Sequence, residues 1–274
     1  MKDNVDIVFL GDIVGRQGRN VVENYIKNLS AKPDFLIANV ENASHGFGLT
    51  KKNHDELSEM GIDIFTSGNH IWDKKEIFDY IGESDRLLRP INYPKNTPGV
   101  GYRIFEKNGK KIGVISVLGR TFMNLTDSPW ETVEETVKKI KEETQIVVID
   151  IHAEATAEKL CMAKFCDCLG VSAVIGTHTH VQTADEQIFP NGLAYITDAG
   201  FCGDTSGIIG MNYEQSIKRM ITALPERLDV SVGDDLQING VEFSVNSLNG
   251  KAETIKRIDL KYSITEGNII MKGK

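Results

Sequence analysis

Cysteine is scarce, with four in 274 residues. Cys161, Cys166, Cys168 and Cys202 lack the C-x-x-C spacing of zinc and dithiol redox motifs, so reduced, partly buried thiols are expected. No apolar run approaches the roughly 18 residues of a membrane span. No signal-peptide pattern follows the charged start Met1–Asp6, so a cytoplasmic protein without a membrane partner is expected. Positive charge is also in deficit: 31 Lys and Arg stand against 39 Asp and Glu, for a net charge of -8 and a pI near 5.3. That argues against binding long nucleic acid, whose phosphates are met mainly by Lys and Arg. It leaves room for a small anionic substrate drawn in by a bound cation. Gly11, Gly15 and Gly18 do not make G-x-G-x-x-G, and no G-K-[ST] follows, so neither nucleotide fingerprint is present. There is no internal repeat and no low-complexity linker, and one domain spanning 1–274 is expected.

What is present is alternation. Apolar strands are predicted at Val5–Leu10, Phe35–Val40 and Ile62–Thr66, with helices at Gln17–Leu29 and from the Thr50 cap to Met60, stopped by Gly61. Gly101–Glu106 and Lys111–Val117 flank Asn108-Gly109, a hairpin signal. Ser128-Pro129-Trp130-Glu131 reads as a capping box, and Trp130, Val133, Val137 and Ile140 give its helix one apolar face. Strands follow at Gln145–Ile151, Ser172–Gly176 and Leu193–Thr197, with helices at Glu158–Leu169 and Glu214–Leu224. The last fifty residues read as strands at Val241–Val245, Ala252–Tyr262 and Asn268–Met271, separated by Asn-Gly and Glu-Gly turns. The pattern predicts an α/β fold of two packed sheets with helices outside, the terminal strands completing the second sheet.

The residues with chemistry fall just after these strands. Asp12 follows the first, Glu41-Asn42 the second and Asn69-His70 the third; His152 ends the strand at Ile151, and His178 and His180 follow Gly176. Ligands of open α/β sheets gather outside the carboxyl ends of the strands, so five loops would deliver metal-ligating groups to one rim. Singly, each has a plainer reading. Asp12 fits a turn, Glu41-Asn42 an ordinary loop and His152 a satisfied polar residue. A carboxylate directly after Phe35-Leu36-Ile37-Ala38 nevertheless needs a partner. His178-Thr179-His180 is the strongest local signal, since an H-x-H can aim two imidazoles at adjacent metals. His54 is expected to be solvated on a polar helix, and His45 to serve its glycine-rich loop.

Gly11-Asp12-Ile13-Val14-Gly15, Glu41-Asn42-Ala43, Gly68-Asn69-His70-Ile71-Trp72-Asp73, Gly119-Arg120-Thr121-Phe122, His152-Ala153-Glu154-Ala155-Thr156, His178 through Asp185 and Tyr195-Ile196-Thr197-Asp198 run almost end to end. Together they resemble the calcineurin-like metallophosphoesterases, and most closely the YmdB-like branch, bacterial 2′,3′-cyclic-nucleotide 2′-phosphodiesterases. Two departures from the wider superfamily favour that branch, which shares them: Asp12-Ile13-Val14 lacks the histidine of D-x-H, and Glu41-Asn42 replaces G-D-x-x-D. The resemblance implies a four-layer α/β/β/α sandwich of two mixed sheets and a metal pair, iron or manganese. It implies that Asp12, Glu41, Asn42 and His180 serve one metal. Glu41, Asn69, His152 and His178 serve the other, with Glu41 bridging and His70 as proton donor. It also implies a homo-oligomer.

The chemistry agrees with that assignment. Two metals about 3.5–4 Å apart can share a hydroxide nucleophile and clamp phosphoryl oxygens. Carboxylate and amide oxygens mixed with imidazoles suit iron, manganese or zinc, and ligand type alone does not choose among them. The expected reaction is hydrolysis of a small nucleotide, a nucleoside 2′,3′-cyclic phosphate, to the 3′-phosphate. Two alternatives stand beside it. One is another phosphoesterase, a phosphomonoesterase or nuclease. The other is a nucleotide- or metal-binding regulatory protein using the glycine-rich loop Phe201–Met211, expected to be exposed, for partner contact or assembly.

Overall fold

The computed structural model describes residues 4–272; the start Met1–Asp3 and the last two residues lie outside the described residues. The chain opens with β1 (Asn4–Leu10), the short β2 (Asp12–Ile13) and α1 (Gly15–Lys27). It continues through β3 (Phe35–Asn39), α2 (Lys51–Glu59), β4 (Ile64–Thr66), a 3-10 turn at Asn69–Asp73 and the short α3 (Ile77–Tyr80). The hairpin β5 (Tyr102–Lys107) and β6 (Lys110–Leu118) turns at Asn108 and Gly109, both at positive φ, as a two-residue hairpin turn requires. Then come α4 (Pro129–Ile140), β7 (Val147–His152), α5 (Thr156–Cys168) and β8 (Ala173–Thr177). The chain ends with β9 (Gln187–Ile188), β10 (Ala194–Ile196), β11 (Phe201–Asp204), α6 (Tyr213–Thr222), β12 (Asp235–Asn246), β13 (Ala252–Thr265) and β14 (Asn268–Met271).

Two mixed sheets result. The first runs β14-β13-β12-β1-β3-β4, with β11 and β2 attached; the second runs β5-β6-β7-β8-β10-β9. Alternation along each strand sorts side chains between layers. Ile7 and Phe9 of β1 meet Val114 of β6 and Val148 of β7 in a core between the sheets. Val8 and Leu10 face the other way, onto Val21 and Val22 of α1 and Leu57 of α2. On the far side, Ile115, Val117 and Ile149 pack against Val133 and Val137 of α4 and Met162 of α5. The order is α/β/β/α. Among the described residues no helix is long and apolar enough to cross a membrane.

Four expectations need correction. The terminal strands extend the first sheet, not the second. β12 pairs antiparallel along the whole of β1, from Asn4↔Asn246 to Leu10↔Gly240. Gly240 permits that approach, since a Cβ there would lie 2.4 Å from the Phe9 carbonyl oxygen. Without β12, β1 would be an open edge of the first sheet, a row of unpaired N–H and C=O groups that the terminal strands cover. His54 is buried, not solvated: its ring bonds Ser84 Oγ at 2.9 Å and meets Phe65 and Tyr80 edge-on. Ser128 caps α4 without a side-chain hydrogen bond; it is exposed to competing water, and Pro129 sets the first turn. Phe201–Asp204 of the expected exposed loop is buried as β11, leaving Ile208 and Ile209 at the surface.

Candidate metal centre

Strands β1, β3 and β4 run parallel in one sheet, as do β6, β7 and β8 in the other, and their carboxyl ends meet at one rim. All seven expected ligands gather there around two foci. At one, Asp12 Oδ1 and His180 Nε2 are 3.6 Å apart. The Asn42 amide nitrogen lies 3.2 Å from each of them. At the other, His152 Nε2 is 2.9 Å from Glu41 Oε1, 3.2 Å from Asn69 Oδ1 and 3.1 Å from His178 Nδ1. One ring nitrogen carries at most one hydrogen, so it cannot satisfy three neighbours. Asp12 Oδ2 accepts from the His178 backbone N–H at 3.2 Å and so ties the two foci together.

The local sequence explains the convergence. Gly68 precedes Asn69 because a Cβ there would lie 2.1 Å from His152 Cδ2. His178 and His180 both hold left-handed backbone, at φ 99° and 62°. Such positions cost about 1–3 kcal/mol each and persist where surroundings over-determine them. Here Asp198 does so, accepting from Thr179 N at 3.0 Å and Thr179 Oγ1 at 2.8 Å. Asp198 is in turn bonded by the fully buried Lys159 at 2.7 Å.

Each ring also has a fixed outer partner. His152 Nδ1 meets Thr177 Oγ1 at 2.9 Å, and Thr177 donates to Asp150 Oδ1 at 2.7 Å. Asn39 donates to Asp150 Oδ2 at 3.0 Å. His180 Nδ1 donates to the Ile209 carbonyl at 2.8 Å. His178 Nε2 lies 3.1 Å from Glu154 Oε2. Sequence reasoning missed these supports. Asn39 and Asp150 carried one signal, since polar groups inside apolar strands need partners.

Electrostatically the centre calls for positive charge. Burial works to raise both carboxylates, yet His180 and His152 beside Asp12, and His152 beside Glu41, hold them below the ordinary range. Burial opposes the His152 imidazolium, but Glu41, Asp12 and Asp150 push its pKa up to about 9. Burial and the neighbouring His152 push His178 down to about 3, and burial pushes Asp150 up to about 6. Glu41 Oε1 and Asn42 Oδ1 are buried without a well-formed hydrogen bond. Ligand atoms of Glu41, His152 and His178 lie within 4.8 Å of one another. Orphaned acceptors, crowded imidazoles and two buried carboxylates together fit cations bound by oxygen and nitrogen.

His70 sits at the edge of this centre. Its backbone N–H donates to Glu41 Oε2 at 2.8 Å, and its Nδ1 donates to Asp73 Oδ2 at 2.8 Å. The ring lies 4.7 Å from that of Phe47. His45 is exposed at φ 60°, apart from the two foci.

Known proteins resemble this chain along most of its length. The model of a family described as YmdB-like protein matches residues 8–258. The chain is 46% identical over 254 residues to a 2′,3′-cyclic-nucleotide 2′-phosphodiesterase of Bacillus subtilis, covering 92% of this chain and 96% of that protein. A solved structure of a phosphatase from Mycoplasma pneumoniae superposes with a TM-score of 0.88 at 34% identity over 95% of each chain. A hypothetical protein from Thermus thermophilus superposes at 0.87 with 34% identity, over 93% of this chain and 99% of its own. With matches running through nearly the whole chain, this protein belongs to the YmdB-like family.

Proposed function

We propose that this enzyme hydrolyses nucleoside 2′,3′-cyclic phosphates at the 2′ ester and releases the 3′-phosphate, using two metal ions. Asp12, Asn42 and His180 would hold one ion; Asn69, His152 and His178 would hold the other, and Glu41 would bridge. The observation that carries this reading is the convergence of these residues on two adjacent foci, with His70 hung from Glu41 by its backbone N–H. The Bacillus relative supports the choice of substrate and ester. Iron, manganese and zinc all suit the donor set. Bound there, the ions supply charge neutralisation at the phosphoryl oxygens and acidify the attacking water.

The chain's own groups supply the rest. Asp73 accepts from His70 Nδ1, which leaves Nε2 as the nitrogen that exchanges a proton. In hydrolysis the water oxygen forms the new bond to phosphorus and the bond to the 2′ oxygen breaks. His70 gives its proton to that oxygen, and the proton lost by water restores the ring. Such acid catalysis contributes about 10²–10⁴-fold. His70→Ala should keep its metals and fold and lose about that much turnover on adenosine 2′,3′-cyclic phosphate. The loss should be smaller on a nitrophenyl phosphodiester, whose leaving group needs no proton. Phosphorus NMR of the products checks the ester: a dominant 2′-phosphate rejects the regiochemistry, and equal losses on both esters reject His70 as the acid.

A further inference from the structure

Beside His70 the surface falls into a cleft of about 870 Å³ that the hydrolytic centre does not use. Phe47 lines it and also packs against the His70 ring, so the cleft opens beside the proposed acid. Its other walls come from the start of α1, the segment 226–232 after α6, Arg219 within α6, Lys74 and His45.

The charge of the lining is uneven. Arg16, Lys74 and Arg219 reach it from three different elements, and among the described residues none of them has a carboxylate within ion-pair distance. The two acids of the wall are already engaged. Glu226 pairs with Lys218 at 2.7 Å, and Asp229 accepts from Gln215 at 2.8 Å and lies 3.9 Å from Arg227, a fourth cation of the lining. In a chain of net charge -8, three free cations facing one cleft form a local anion-attracting field. The volume lies in the upper part of the range of about 300–1,000 Å³ seen for small-ligand pockets, room for a nucleotide unit rather than one phosphate alone.

We propose that this cleft binds the nucleotide on the 5′ side of the cyclic phosphate, through its phosphodiester, so that short oligoribonucleotides ending in a 2′,3′-cyclic phosphate are preferred substrates. The proposal rests on the hydrolytic reading above. Phe47 offers an apolar ring beside the acid, and Arg16, Lys74 and Arg219 meet the phosphodiester as it leaves the scissile nucleotide. Three cations suit one or two phosphates, and the acidic remainder of the chain gives a longer RNA nothing to hold.

The test compares kcat/KM for adenosine 2′,3′-cyclic phosphate with that for adenylyl-adenosine ending in the same cyclic phosphate, on metal-loaded enzyme. The dinucleotide should be better by about tenfold, chiefly through KM, the size of one charge-assisted contact discounted for exposure. The advantage should shrink as salt rises, because exposed charges are screened. Arg16→Gln/Arg219→Gln should remove the advantage while mononucleotide turnover stays within about twofold. Arg219→Gln alone, on the exposed face of α6, should remove part of it. Equal kcat/KM for the two substrates would overturn the cleft proposal and leave the hydrolytic reading standing. So would a double variant that keeps the full advantage. Turnover of neither substrate would overturn the hydrolytic reading and the cleft with it.

Discussion

Replacing Lys159 with methionine tests how the loop carrying His178 and His180 is held. Lys159 is fully buried on α5, and Asp198, 1% exposed, is its partner at 2.7 Å. Asp198 accepts three further hydrogen bonds, from Thr179 N, Thr179 Oγ1 and Gly200 N. Methionine keeps most of the buried stem and deletes the ammonium. The carboxylate then stays buried with its hydrogen bonds but without its counter-charge. Breaking a buried pair from one side costs about 3–5 kcal/mol. That is a large part of the roughly 5–15 kcal/mol that holds a typical domain together. Urea unfolding should show a lower midpoint at an unchanged slope. Asp198→Asn should cost as much and should also loosen Thr179, lowering metal content. The double variant Lys159→Met/Asp198→Asn leaves no charge buried, so it should be more stable than the sum of the single losses predicts. A Lys159→Met protein within about 1 kcal/mol of the parent would show that the pair is not energetically buried, and would refute the reasoning.

Three further outcomes follow from the site and its surroundings. Glu41→Gln should lose more bound metal than Glu41→Asp, because an amide cannot offset charge from two cations; full two-metal content by elemental analysis in the Gln variant would remove Glu41 from the bridging role. Gly68→Ala places a methyl 2.1 Å from His152 Cδ2. It should cost about 1–3 kcal/mol, as overpacking does, and lower metal content; unchanged content would mean that the turn yields without moving the ring. Burial lowers the pKa of His54 below its ordinary 6.5, although Asp55 opposes this. The native ring is therefore neutral, the unfolded chain takes up the proton first, and stability should fall as pH drops below about 6.5. His54→Gln should flatten that slope in urea titrations between pH 7.5 and 5, and an unchanged slope would place the titration elsewhere.

The convergence of these residues on one rim was legible because it needs only strand ends. Apolar runs closing at Leu10, Val40, Thr66, Ile151 and Gly176 put Asp12, Glu41, Asn69, His152 and His178 one to three residues past their ends, and parallel strands carry such positions to one edge. Sheet membership of the last strands was not legible. Asn4 and Asn246 meet across almost the whole chain, and β12 would alternate in the same way beside any strand with a free edge. His54 was misread for a related reason. A short helix rich in polar residues shows no clear apolar stripe, yet Asn53, His54 and Leu57 form its buried face, with Ser84 supplied from thirty residues away.

The three imidazoles of the centre follow one rule that no spacing motif reveals. Each turns one nitrogen to the foci and the other to an oxygen: Thr177 Oγ1 for His152, Glu154 Oε2 for His178 and the Ile209 carbonyl for His180. Outer partners of this kind set which nitrogen is available and resist rotation of the ring. They also explain why His178 differs from the other two. It presents Nδ1 where His152 and His180 present Nε2, because Glu154 engages its Nε2. Thr177 is buried within the fold, whereas Glu154 and Ile209 are each about half exposed, so His152 is the ring held most firmly from outside. That firm outer support falls on the ring where the second focus converges, since Glu41, Asn69 and His178 all lie within 3.2 Å of His152 Nε2.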